Sequence, residues 1–105
     1  MTDVLLVYVT VPEMTVGRQI AASLLEKRLI ACANILPGAE SHYRWEGKLE
    51  TSAEAVMFLK TKRDLLDAVM VEVEKLHPYA CSAVLAMHLE GGRKGFLDWV
   101  LAETV

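Results

Sequence analysis

The sequence has few of the residues that staple secreted domains or build metal and nucleotide sites. Its two cysteines, Cys32 and Cys81, lie in no CxxC or Cys/His spacing, which favours reduced thiols in a cytoplasm over a disulfide framework. Glycine-rich phosphate loops, Ser/His/Asp arrangements and paired-carboxylate spacings are all missing. The residue chemistry therefore gives no indication of an enzyme.

Long apolar runs and basic stripes are missing as well. No apolar segment approaches the ~18–20 residues of a membrane span, and Met1-Thr2-Asp3 runs directly into a strand-like segment, unlike a signal peptide. The net charge is −3, and lysines and arginines are not interleaved with stacking aromatics. We expect a cytoplasmic protein without a membrane or nucleic-acid partner.

Apolar residues, in contrast, are abundant. They make up 53% of the 105 residues, and the mean hydropathy is +0.29. This length allows one domain, residues 1–105, which buries roughly two thirds of its unfolded surface on folding. We expect the excess apolar surface to be covered by protein, for example by a partner chain.

The apolar pattern predicts the order β-α-β-β-α-β followed by a short C-terminal helix, which is an α+β, ferredoxin-like split βαβ sandwich. Thr15 and Asp64 are the expected N-caps of the two main helices. The local signals are a first strand at 4–9, a bulge or turn at Pro37-Gly38, a hairpin turn at Glu46-Gly47, a helix stop at His77-Pro78 and a last strand at 83–89.

Three of the predicted strands are apolar at alternate and at intervening positions. Both main helices pack on one sheet face in this topology, so the second face would meet water in a monomer. Ten residues of closing helix are too few to cover a four-stranded sheet. We therefore expect an obligate oligomer, because monomers rarely expose so large an apolar patch.

The three histidines show no metal-ligand spacing. His77, before Pro78, is either a helix-stop residue that bonds local carbonyls or a surface ligand for copper or zinc. His88 is expected to be buried in the last strand. Cys32 and Cys81 are expected to be small buried hydrophobes.

Two further segments have alternative interpretations. Tyr43 and Trp45, just before the hairpin turn, form a ligand platform or anchor a neighbouring subunit, and the second is favoured. The basic step that begins at Lys60 is a solvated edge or an anion site at the start of the following helix.

Taken in order, several short segments resemble the CutA divalent-cation tolerance family over nearly the whole chain. The segments are Thr10-Val11-Pro12, residues 28–35 (RLIACANI), Pro37-Gly38, residues 43–48 (YRWEGK), Leu59-Lys60-Thr61, His77-Pro78-Tyr79 and Phe96-Leu97-Asp98-Trp99. The resemblance implies a ferredoxin-like homotrimer in which the hairpin between the second and third strands reaches onto a neighbour. It also implies tolerance to copper and other divalent cations.

The same resemblance points to candidate site residues. Of the copper ligands proposed in that family, only His77 is retained here, since the family's cysteine position is Val9 and its first histidine is Leu76. A carboxylate common after the His-Pro-Tyr segment is replaced by Ala83. A cleft between subunits is expected to be lined by Cys32, Tyr43, Trp45, Lys60, Tyr79 and Trp99.

Three functions follow as hypotheses. The first is a trimeric divalent-cation tolerance protein that binds copper or another divalent cation weakly. The second is a trimeric scaffold that recruits a partner protein. The third is a small-ligand signalling trimer of the nitrogen-regulatory PII kind, which is disfavoured because the hairpin shows no recognisable nucleotide-binding pattern of glycines and basic residues.

Overall fold

The computed structural model describes all 105 residues, as four strands and three α-helices. The order along the chain is β1 (Val4–Val11), α1 (Met14–Glu26), β2 (Cys32–Trp45), β3 (Lys48–Lys62), α2 (Leu66–Leu76), β4 (Val84–His88) and α3 (Lys94–Glu103). A single 3-10 turn, Arg63–Leu65, leads into α2. The predicted α+β architecture is confirmed.

The four strands form one antiparallel sheet in the order β2-β3-β1-β4. Helices α1 and α2 cover one face, where the apolar stripe of each helix meets the side chains of the central strands. The fully buried residues of this layer include Val7, Val9, Ile20, Leu24, Met57, Leu59, Val69 and Val73. The main core therefore lies between the helices and β1 and β3.

The opposite sheet face, which we call the open face, is apolar but poorly covered. Alternation along β1 directs Val7 and Val9 to the helices and leaves Leu6 and Tyr8 on the open face, half-buried. On β4, Leu85 of the same face is 60% exposed. Helix α3 covers only one end, where Val4, Ala31 and Val100 form a small second cluster. The expectation that α3 is too short to cover the sheet is confirmed.

Strands β2 and β3 continue past the body of the sheet as a long hairpin arm, and the longest dimension of the molecule is 44 Å. The arm turns at Glu46 and Gly47, both with positive φ (50° and 79°), as the hairpin prediction requires. One register irregularity separates Leu36 from Ala39 on β2, at the predicted Pro37-Gly38 bulge. Gly38 has a φ of +88°, which glycine adopts at little cost.

The predicted helix N-caps are wrong by two residues for α1 and by one residue for α2. Helix α1 begins at Met14, after an N-cap residue, Glu13, whose side chain makes no capping hydrogen bond, so Thr15 is not the cap. Asp64 lies inside the 3-10 turn instead of capping α2. Both ends depend on tertiary packing, because no local side-chain bond marks either start. The helix stop at His77 is confirmed.

The burial expected for three other side chains is also wrong within the chain. His88 is exposed, and its ring nitrogens lie 3.1 and 3.4 Å from the guanidinium of Arg63. Cys81 is exposed and Cys32 is half-buried. The reasons differ: His88 lies on the edge strand β4, Cys32 begins the edge strand β2 on the open face, and Cys81 lies in the segment before β4.

Candidate ligand cleft

One cavity of about 690 Å³ lies on the open side of the sheet, between the hairpin arm and the segment after α2. Its walls carry four large aromatic rings, two carboxylates and several small or polar side chains. The aromatic rings are those of Tyr8, Tyr43, Trp45 and Tyr79, and the carboxylates are those of Glu50 and Glu54. This volume is typical of a site for a small organic ligand.

The sheet register explains why these residues meet. On the arm, Tyr43 lies opposite Glu50, and Ala39 lies opposite Glu54. Residues two and four apart on a strand share a face, so Glu50 and Glu54 lie on the same side as Tyr43. The Tyr43 hydroxyl is 3.3 Å from the Ser52 hydroxyl, which steadies the ring on this face.

His77 holds the segment after α2 against the sheet. Its Nε2–H donates to the backbone carbonyl of Thr10 at 2.6 Å, and its Nδ1 accepts from the backbone N–H of Tyr79 at 3.2 Å. A carbonyl can only accept and an N–H can only donate, so the two partners determine the tautomer. The ring is 7% exposed and lies 4.8 Å from the ring of Tyr79. The acceptor is therefore a strand carbonyl distant in sequence, where local carbonyls were expected.

Tyr79 connects the segment after α2 to the arm across the cavity. Its hydroxyl donates to Glu54 Oε2 at 3.0 Å. Desolvation of the phenol, followed by this hydrogen bond and the negative charge of Glu54, raises the pKa of Tyr79 to about 12. The phenol therefore remains a hydrogen-bond donor at any physiological pH.

The charge of the cavity is negative. Glu50 and Glu54 are its two carboxylates, and neither lysine nor arginine contributes to its walls. His42 also lines the cavity, and its ring pairs with Glu40 outside the walls at 3.1 Å. None of the five ion pairs of the chain includes either wall carboxylate. The cleft therefore attracts cations and repels anions such as phosphates.

The structure brings together some of the sequence-predicted residues and separates others. Tyr43, Trp45 and Tyr79 line the same cavity. Cys32 and Lys60 are paired across β2 and β3 on the open face and are not among the residues that line it. Trp99 lies on α3 against Phe96, with 5.6 Å between ring centroids, and also takes no part in the cavity walls of one chain.

Sequence reasoning missed both carboxylates, Tyr8 and the place of Cys81 in the cavity wall. The available signal was the spacing Glu50-x-Ser52-x-Glu54, which places three polar side chains on one face of a strand. Polar residues on an exposed strand usually face water, so this spacing alone did not indicate a site.

A ready-made metal centre is not present in one chain. No group of three or more histidine, cysteine, aspartate or glutamate side chains is placed to hold a metal ion. A metal ion at His77 would have to replace one of the two hydrogen bonds that the ring makes. No helix combines the length and the apolar character needed to cross a bilayer.

Comparison with known proteins supplies a family. Residues 5–103 match the family model described as "CutA1 divalent ion tolerance protein". A divalent-cation tolerance protein CutA from Archaeoglobus fulgidus is 40% identical over 94 residues, which are 90% of this chain and 91% of that protein. The solved structure of a divalent cation tolerance protein from Thermus thermophilus superposes with a TM-score of 0.95 at 36% identity, covering 97% of this chain and 99% of that one.

Eukaryotic relatives are longer. The rice protein CutA 1, described as chloroplastic, is 42% identical over 100 residues, which are 95% of this chain but 56% of that protein. The chain spans a little over half the length of the plant and mammalian relatives that it matches. Relatives are also described in different compartments, since the structure of the Archaeoglobus fulgidus protein is called periplasmic.

Proposed function

Because the chain belongs to the CutA1 divalent ion tolerance protein family, we propose that it acts as a homotrimeric divalent-cation tolerance protein. The Archaeoglobus fulgidus relative of that name aligns with about nine tenths of both chains, which supports carrying the role over to this chain. The proposed role is non-catalytic, and the proposed compartment is the cytoplasm.

The main observation that supports the proposed trimer is the apolar open face. Leu36, Leu85 and Met87 of this face are 47%, 60% and 40% exposed in the single chain. Helix α3 covers only the end near Val4. Packing against further copies would remove this surface from water, which is the main favourable contribution to protein association. The outer edges of β2 and β4 are also free to pair with other chains.

Cation binding is proposed to be weak and to need more than one subunit. A single chain supplies no three-ligand site, and His77 already uses both ring nitrogens. Copper is the first candidate, because imidazole binds it well and it leads the affinity order of divalent first-row metals. His77 would take part only after one of its hydrogen bonds is replaced.

The cleft disfavours the signalling alternative. A PII-like nucleotide would bring phosphates to a cavity whose walls hold the carboxylates of Glu50 and Glu54 and neither lysine nor arginine. Repulsion between like charges in a partly enclosed site opposes such binding. We expect ATP and ADP to leave the thermal unfolding temperature unchanged.

The assembly is tested by analytical ultracentrifugation at micromolar protomer concentration. We expect the mass of three chains for the wild type and a smaller species for Leu85→Glu, which places a charge on the open face. Val71→Glu is the matched control, since Val71 is 55% exposed on α2, on the other side of the sheet. A folded wild-type monomer would contradict the proposal.

Metal binding is tested by isothermal titration of the same protein with copper and with zinc. We expect weak binding that is reduced in His77→Ala. Circular dichroism of the variant establishes that it is folded. Silent titrations for both proteins would overturn metal binding and leave the assembly to be judged by its own experiment.

A further inference from the structure

The hairpin arm carries a pair of metal-ligating side chains on the side away from the open face. Glu40 and His42 are two residues apart on β2, so they share one face of the arm. Alternation along the strand places this face opposite that of Tyr43, which is the face that lines the cleft. The His42 Nε2 lies 3.1 Å from Glu40 Oε2, so the two donor atoms converge.

The distance between these atoms matches the spacing of two ligands on one metal ion. Zinc binds imidazole nitrogen and carboxylate oxygen at about 2.0–2.2 Å. Two such donors, at the angles of tetrahedral or octahedral coordination, are roughly 2.9–3.4 Å apart. Since Nε2 and Oε2 are already 3.1 Å apart, little movement is needed for both to bind one ion.

Thr51 supplies the outer contact that orients such a histidine. It lies directly opposite His42 on β3, and its hydroxyl oxygen is 3.3 Å from Nδ1. A carboxylate only accepts, so in the hydrogen-bonded pair the neutral ring donates from Nε2 to Glu40, and Nδ1 accepts from the hydroxyl. When Nε2 binds a cation, the ring hydrogen has to be on Nδ1, and the same hydroxyl can accept it. Both forms of the ring are therefore satisfied.

His42 differs in this respect from His77. Both ring nitrogens of His77 are held by backbone groups, so a cation there has to replace a backbone hydrogen bond. At His42 the partner of Nε2 is a carboxylate, which is itself a metal ligand. Arg44 is the next residue along the same face, and its positive charge limits the affinity for a cation.

We propose that Glu40 and His42 form a two-donor site for a divalent transition-metal cation of the copper or zinc class, with water in the remaining positions. The proposal deepens the cation binding proposed above, on which its role in tolerance rests, and adds a site at a second histidine. Two protein donors are fewer than the three or four of a structural or catalytic zinc site, so the binding is weak. The site needs residues of one chain only.

Nuclear magnetic resonance of the imidazole nitrogens tests the proposal, with zinc as a diamagnetic probe added to the full chain. We expect zinc to shift the His42 signals and to convert the ring from the Nε2–H to the Nδ1–H form, which the nitrogen shifts distinguish. Glu40→Gln and Thr51→Val should each weaken zinc binding at His42 about tenfold. The matched control Glu26→Gln, which removes an exposed carboxylate at the end of α1, should bind like the wild type.

Three results would overturn the proposal. If zinc leaves the His42 signals unmoved, the pair binds no cation, and this outcome includes a neighbouring subunit that covers this face of the arm. If the titration midpoint is the same in Glu40→Gln and the wild type, the carboxylate is not a ligand. If the ring keeps its Nε2–H form at saturating zinc, the ion is not bound at Nε2. The His77 signals are read in the same spectra, and the assembly is read by sedimentation, so each proposal fails separately.

Discussion

Replacement of His77 by alanine should destabilise the fold whether or not the protein ever meets a metal ion. The imidazole is 7% exposed and makes two hydrogen bonds, to the Thr10 carbonyl and from the Tyr79 N–H. Each hydrogen bond is worth about 1 kcal/mol, and a buried partner left unpaired costs about 1–3 kcal/mol. We therefore expect His77→Ala to lower the free energy of unfolding by about 2–4 kcal/mol.

Two conservative variants separate the two bonds. His77→Gln can keep a donor near the position of Nε2, toward Thr10, and His77→Asn can keep an acceptor near Nδ1, toward Tyr79. Each should recover about half of the loss, measured by urea unfolding at one protomer concentration, since the stability of an oligomer depends on concentration.

The same variants distinguish a structural histidine from a metal ligand. If His77→Ala unfolds within about 0.5 kcal/mol of the wild type, the hydrogen-bonded role is refuted, because changes of that size are ordinary at surface positions. Partial recovery of stability by both amide variants, with copper binding unchanged, would establish the structural role alone.

Two pH-dependent predictions follow from the side-chain contacts. The pKa of Tyr79 is raised from 10.0 to about 12, so its contribution to the free energy of unfolding is fully present below pH 10 and is lost as the pH rises toward 12. A shift of two pKa units corresponds to about 2.7 kcal/mol. Because Tyr79 is 38% exposed, solvent screening reduces the expected loss to about 1 kcal/mol. Tyrosinate absorbance of the wild type minus Tyr79→Phe should show this titration, and a midpoint near pH 10 would refute it. The pKa of Glu72 is lowered, first by hydrogen bonds from Lys27 and Ser23, so its stabilisation is present above pH 4.5 and is lost as acid protonates it in the folded state. Glu72→Gln should therefore lower the melting temperature at neutral pH and lower it progressively less in acid. A difference in melting temperature between wild type and variant that does not change with pH would contradict this.

The parts of the fold that local chemistry determines could be predicted from the sequence. Gly47 supplies the positive φ of the hairpin turn, and Pro78 removes a donor and ends α2. The helix starts could not be predicted, because Glu13 and Leu65 precede their helices without a side-chain capping bond. Tertiary packing sets those starts, and a single sequence does not display it.

The candidate site was only partly predictable for a related reason. Tyr43 and Trp45 were evident as large aromatics on an arm, but the carboxylates that share their cavity belong to the facing strand. The hairpin turn pairs Tyr43 with Glu50 and so places Glu54 on the same face, but the opposite wall comes from Tyr79, which the fold brings to Glu54 from 25 residues away in sequence. His77 was recognised as a helix stop, yet its partner carbonyl, on Thr10, is 67 residues away in sequence.

The irregular register step in β2 influences the direction of the arm but does not decide which side chains lie on each face of the arm. Between the positions opposite Val56 and Glu54, β2 has one residue more than β3, and such an insertion bends a strand and increases its local twist. Removal of Gly38 would equalise the two counts, so Ala39 would still lie opposite Glu54 and every later pair would be kept. The arm would then leave the sheet at a different angle while the same side chains faced the cleft. Within this fold, a change of one residue can therefore re-aim the arm without altering the groups that a ligand meets.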